Sequence, residues 1–128
     1  MSAMSNYLET ALVNATLRNT SFTSPTTVYV GLYTTSPGEG NTGTEVSGGS
    51  YARQSAAFAA PTDGVTTNSA TLTFPTATAS WGTITHIGIL DALTTGNLLY
   101  YAALDVSKTI GSGDIFTISS GNLSVTLA

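Results

Sequence analysis

Apolar residues in this chain follow two periods, one confined to the start and the other running through the rest. From residue 6 to about 18, Tyr7, Leu8, Ala11, Leu12 and Ala15 recur at helical spacing and predict one amphipathic helix. Asn6 followed by Glu9 fits an N-cap and N3 pair, and Arg18 falls in the last turn, where a cation complements the helix dipole. One short helix is marginal in water, so its stripe must dock, either on its own domain or on a neighbouring subunit.

Beyond residue 26 the period is two. Residues 27–34 alternate, with Val28, Val30 and Leu32 on one side and Tyr29 and Tyr33 on the other. Further strands are predicted over 51–59, 65–74, 98–104, 106–110, 115–119 and 123–127, with turn chemistry at Pro61–Gly64, Thr94–Asn97, Gly111–Asp114 and Gly121–Asn122. The glycine-rich stretch 35–50 has neither period and reads as a long surface loop, a kind that tends to carry function. Residues 80–91 hold the single tryptophan, Trp81, the single histidine, His86, and the densest β-branched run. Strict alternation puts Ile84, His86, Gly88 and Leu90 on one face and Thr83, Thr85, Ile87 and Ile89 on the other. Both faces carry apolar side chains, so this central strand must be covered on both sides.

The expected fold is therefore all-β: an antiparallel β-sandwich, jelly-roll or Ig-like, of about eight short strands with one short N-terminal helix. Residues 1–26 form the helix and a linker, and 27–128 the sandwich. A chain of 128 residues is one domain by length.

Composition narrows the function more than it names it. Charged residues are 8% of the chain, against roughly 25% in ordinary soluble domains. Such a surface suits contact with other protein copies, since interface cores are depleted in charge, or else a hydroxyl-coated β-protein that stands alone. Three cations against seven acids give a net charge of −4, and no nucleic-acid partner is expected. The absence of cysteine excludes disulfides, thiolate metal sites and cysteine nucleophiles. No stretch reaches the ~20 apolar residues of a membrane helix, so no membrane partner is expected, and the N-terminus lacks the pattern of a secretion signal.

Chemistry is sparse. His86 has no orienting carboxylate beside it and no G-x-S-x-G occurs, so a structural, hydrogen-bonded histidine is expected. Asp63, Asp91, Asp105 and Asp114 sit at turns or strand ends, where aspartate bonds its own backbone. The chain is not expected to be an enzyme and no cofactor or metal is implied. Arg53 stands out: a guanidinium among alanines in a charge-poor chain needs a partner, either an intrachain brace to Glu45 or Asp91, or a contact with another subunit.

One ordered set of short signatures is distinctive. Leu32-Tyr33-Thr34-Thr35-Ser36-Pro37 leads to Gly43-Thr44-Glu45-Val46-Ser47-Gly48-Gly49-Ser50-Tyr51-Ala52-Arg53-Gln54, then to Asn68-Ser69-Ala70, Phe74-Pro75 and Ser80-Trp81-Gly82-Thr83-Ile84-Thr85-His86. Over residues 27–127 this resembles a group of small virion proteins of tailed bacteriophages, some tail-fibre-like and some acting as capsid cement or decoration proteins. The resemblance implies a β-rich structural module, a homotrimer, without active-site residues. The leading expectation is a cement protein, assembled in the host cytoplasm, that binds the major capsid protein on the outer capsid surface and stabilises the shell. The alternative is a tail or tail-fibre component that binds a host surface receptor, with Tyr29, Tyr33, Tyr100 or Tyr101 as stacking platforms. Tyr7, Leu8 and Leu12 on the helix, and Glu45, Tyr51 and Arg53 at the 35–50 loop and the strand after it, are the candidate subunit or capsid contacts.

Overall fold

A computed structural model describes residues 2–127. In chain order its elements are β1 (Ser2–Met4), α1 (Asn6–Leu17), β2 (Val28–Tyr33), β3 (Gln54–Ala56), β4 (Val65–Thr67), β5 (Leu72–Thr73), β6 (Gly82–Leu90), β7 (Leu98–Ile110), β8 (Thr117–Ile118) and β9 (Ser124–Thr126). Five strands form one sheet in the order β1-β7-β6-β2-β3, every neighbouring pair antiparallel. Two ribbons, β4 with β9 and β5 with β8, make up the second layer. The fold is thus all-β, antiparallel and sandwich-like, with the expected central strand, β6, in the middle of the main sheet.

β6 is covered on both faces, but its faces differ from those that simple alternation gives. Val30 pairs with Ile89 and Leu32 with Ile87, and these four share the core face. Ile84 lies in the same core, three positions before Ile87, because the register slips between Ile84 and His86. Ile84 pairs with Lys108 and His86 with Ala103, so residues 104–107 of β7 bulge out opposite Thr85. A bulge reverses the facing of the residues beyond it, which puts Ile84 with Ile87 and Ile89 rather than with His86. The bulge also merges the two strands expected at 98–104 and 106–110 into one interrupted ladder.

Against this face pack Leu72, Phe74, Phe116, Leu123 and Val125 from the ribbons and their flanks. Val30, Leu32 and Ile84 are fully buried, and each such side chain contributes roughly 1.5–3 kcal/mol of burial free energy. The second layer is incomplete at one end, leaving an apolar opening of ≈ 410 Å³ lined by Val28, Ile89, Tyr100 and Val125 among others.

The opposite face holds Gly31, Tyr33, Gly88 and Leu90, and its cover is made of loops and the start of α1. A Cβ on Gly88 would sit 2.8 Å from both Leu98 Cδ1 and the Tyr33 ring, so the missing side chain is what lets those two groups close over the sheet. Tyr33 donates its hydroxyl proton to Asn41 Oδ1 (3.0 Å), which draws the 35–44 loop inward. The Asn6 N–H donates to the Glu39 carbonyl (2.9 Å) and links that loop to the helix.

Ser5, not Asn6, caps α1. Its Oγ accepts from the Leu8 N–H (3.2 Å) and donates to the Leu98 carbonyl, while its own N–H donates to the Leu99 carbonyl (2.9 Å). One buried serine therefore starts the helix and ties it to β7, which its neighbour Asn6 cannot do from an exposed position. Arg18 lies at the C-cap rather than in the last turn and reaches back to Asn14 Oδ1 (3.4 Å). Ser5→Ala is expected to destabilise the protein by about 1–2 kcal/mol and to speed amide exchange in α1 ahead of the sheet. Uniform exchange across both elements would refute the tether.

Two further departures have local causes. The strand expected over 65–74 is broken at Asn68, which is almost fully buried. Its side chain donates to the Ala70 (2.9 Å) and Ser119 (3.1 Å) carbonyls and accepts from the Leu123 N–H (2.9 Å). A buried amide with three backbone partners replaces ladder bonds and lets the chain change ribbon. β1, which the sequence pattern did not predict, pairs with residues 100–102 of β7.

Candidate functional site

The 35–53 segment returns along the outer edge of β2. β3 pairs with Val28–Val30 only, and further along the edge Glu45 bridges to Tyr33 while the Val46 N–H donates to the Leu32 carbonyl (2.9 Å). The Leu32 N–H falls in the gap between these two pairings. It donates to the Tyr51 hydroxyl (2.9 Å), so a phenol takes the place of a strand carbonyl. The Tyr51 ring packs on the core, stacked on Phe74 at 6.4 Å and edge-on to Trp81 at 5.4 Å.

The same hydroxyl donates to Glu45 Oε2 (2.6 Å). Glu45 in turn holds Arg53 in a two-pronged pair, Nε to Oε2 at 2.8 Å and Nη2 to Oε1 at 2.7 Å. Arg53 Nη1 donates to the carbonyls of Ala92 and Thr95, both at 2.8 Å. Arg53 is therefore an intrachain brace to Glu45, and Asp91, the other expected partner, is engaged by Asn97 through its N–H (2.7 Å) and side-chain amide (3.0 Å). The brace joins the 45–53 segment to the β6–β7 turn, two stretches that only this fold brings together.

Gly31 makes room for it. A Cβ there would lie 2.8 Å from Glu45 Oε2 and 3.1 Å from the Tyr51 hydroxyl. Burial, with the Glu45 charge adding to it, pushes the Tyr33 phenol up to about 12. Burial and the hydrogen bond to Glu45 push the Tyr51 phenol further in the same direction. Arg53 is held more firmly protonated, chiefly by its bond to Glu45.

Both phenols keep their protons more tightly folded than unfolded. The stability this confers is complete below the ordinary tyrosine value of about 10 and is lost as pH rises from there through about 12 for Tyr33. Urea midpoints measured between pH 8 and 12 should be level up to about pH 10 and then fall. Tyr33→Phe should flatten part of that decline, and a midpoint unchanged at the alkaline end would contradict the arrangement.

The six candidate contact residues separate into two places. Glu45, Tyr51 and Arg53 meet in the brace, where Glu45 and Arg53 line an open cleft of ≈ 380 Å³ between the 45–53 segment and the β6–β7 turn. Of the helix residues, Leu8 is buried, Leu12 half-buried and Tyr7 42% exposed. The outer helix surface carries two apolar residues that the sequence stripe left out, Val13 and Leu17. Of the four tyrosines considered as stacking platforms, Tyr33 is buried and cannot serve, while Tyr29, Tyr100 and Tyr101 are half-buried. His86 shares a hydrogen bond with the Thr85 hydroxyl (2.8 Å) and faces Tyr33 across the strands. The β6–β7 turn, with Leu93, Thr94 and Thr95 on the cleft, was read from sequence only as a hairpin turn. Nothing local in the sequence marks it as one wall of a cleft.

The chain is thus an antiparallel, sandwich-like β-module whose long loop is braced by an internal ion pair. The chain belongs to the family described as Podophage GP4 fiber I protein gp80, whose match spans residues 3–126. It is a structural protein of the bacteriophage virion. No curated protein matches it.

Proposed function

We propose that this chain is a building block of a podophage tail fibre and contributes to contact with the host surface. The observation that carries the reading is the family match, which runs from β1 to β9 and whose description is of a fibre protein. Capsid cement, the leading expectation from sequence, has less support from that description than the tail-fibre alternative. Self-association belongs to the same proposal: Tyr7, Val13 and Leu17 are exposed apolar side chains on α1, with Leu17 79% exposed, and offer contacts to another copy or a neighbouring virion protein. The role is one of binding and assembly, without catalysis. Quantitative mass spectrometry of purified particles should find few copies per particle relative to the major capsid protein. A copy number matching the capsid lattice would reject the fibre reading in favour of cement.

A further inference from the structure

We propose that the cleft between residues 45–53 and the β6–β7 turn binds a neutral sugar unit of a surface glycan. The inference rests on the fibre reading for its setting, and on the cleft alone for its chemistry. A volume of ≈ 380 Å³ is within the range of small-ligand sites, roughly 300–1,000 Å³.

Arg53 has five N–H groups, of which four are engaged: Nε–H and one Nη2–H by Glu45, and both on Nη1 by Ala92 and Thr95. The remaining Nη2–H and the second acceptor site of Glu45 Oε1 have no partner among the described residues. Nη2 and Oε1 are 2.7 Å apart and both residues line the cleft. The free Nη2–H points away from Oε1, so donor and acceptor are met by two adjacent hydroxyls, as on a sugar ring, one accepting from Arg53 and the other donating to Glu45. Carboxylates and phosphates only accept, and ammonium groups only donate, so each would satisfy one member and repel the other.

Charge points the same way. Glu45 neutralises Arg53 within the cleft, and a chain of net charge −4 does not favour an acidic polymer. Ser47, Thr94 and Thr95 also line the cleft, with Leu93, 52% exposed, as an apolar wall for the C–H face of a sugar ring.

The turn is also held in a strained form. Thr95 has φ 53°, a left-handed conformation that a β-branched residue rarely adopts, and its carbonyl accepts from Arg53 in that conformation.

The test is a glycan array carrying neutral hexose- and N-acetylhexosamine-terminated oligosaccharides beside sialylated and phosphorylated ones, followed by titration of the best hit. Two variants, Leu93→Asp and Ser47→Trp, alter exposed wall positions whose side chains make no bond to the ion pair, so thermal melts should stay within a few degrees of the parent. The expected result is binding to neutral glycans that falls at least tenfold in both variants. Binding to acidic glycans alone, no binding on the array, or binding that survives both substitutions would overturn the inference. Particle localisation is separate: a tail-located protein that binds no sugar removes this inference and leaves the fibre reading standing, and a capsid-located one that binds sugar does the reverse.

Discussion

Trp81→Ala is expected to be the most damaging single change, lowering stability by about 4 kcal/mol, within the range for deleting a large buried aromatic side chain. Trp81 is 4% exposed, meets the edge of Tyr51, and donates its indole N–H to the Gly49 carbonyl (2.9 Å). Its loss opens a cavity in the main core and also releases the loop that leads into Tyr51. For a domain of this size, about 1 kcal/mol corresponds to roughly 3–5 °C in Tm, so a fall of well over ten degrees should be seen by calorimetry. Trp81→Phe keeps most of the packing but not the hydrogen bond, and should recover more than half of the loss. If alanine and phenylalanine were equally harmful, the hydrogen bond rather than packing would carry the site.

Arg53→Ala should rank next, at about 3 kcal/mol. Breaking a buried ion pair by removing one member typically costs 3–5 kcal/mol, and the lower end applies because the Glu45 side chain is 23% exposed. The change leaves the Glu45 carboxylate with the Tyr51 hydroxyl as its one remaining partner and strands the Ala92 and Thr95 carbonyls that Arg53 satisfies. Arg53→Lys should rescue little, since one ammonium cannot span a carboxylate and two carbonyls in the fixed geometry of the guanidinium fork. A double-mutant cycle with Glu45→Ala should give a coupling above about 1 kcal/mol in urea unfolding. Full additivity would mean that the pair does not act as a brace. Trp81 and Arg53 both secure the loop around Tyr51, so combining their substitutions should cost less than the sum.

These effects show which parts of the molecule can be read from the chain. β2, β6 and α1 were legible because apolar period and length coincide in each, and Arg53 was legible because a lone guanidinium in a charge-poor chain needs a partner. The two-sided cover of β6 was implied by its pattern as well. It consists of ribbons on one face, with the 35–44 loop and the start of α1 on the other.

The features that escaped depend on pairings between distant residues. The bulge opposite Thr85 leaves no mark in the alternation of residues 82–90, and it alone decides the face on which Ile84 lies. The break at Asn68 depends on carbonyls and an N–H up to 55 residues away. The Tyr51 hydroxyl completes the edge of a strand 19 residues earlier. A strand as short as β1 has too few residues to show a period at all.

The cleft was half legible. Glu45, Tyr51 and Arg53 were marked by their chemistry, whereas the opposing wall of Leu93, Thr94 and Thr95 is ordinary turn sequence that becomes a wall only once Arg53 reaches across to it.

Whether the chain is part of a tail fibre is tested most directly by cryo-electron microscopy of phage particles carrying a bulky tag on this protein. Extra density is expected on fibres at the tail, with the capsid surface unchanged. Tag density distributed over the capsid lattice would contradict the fibre assignment.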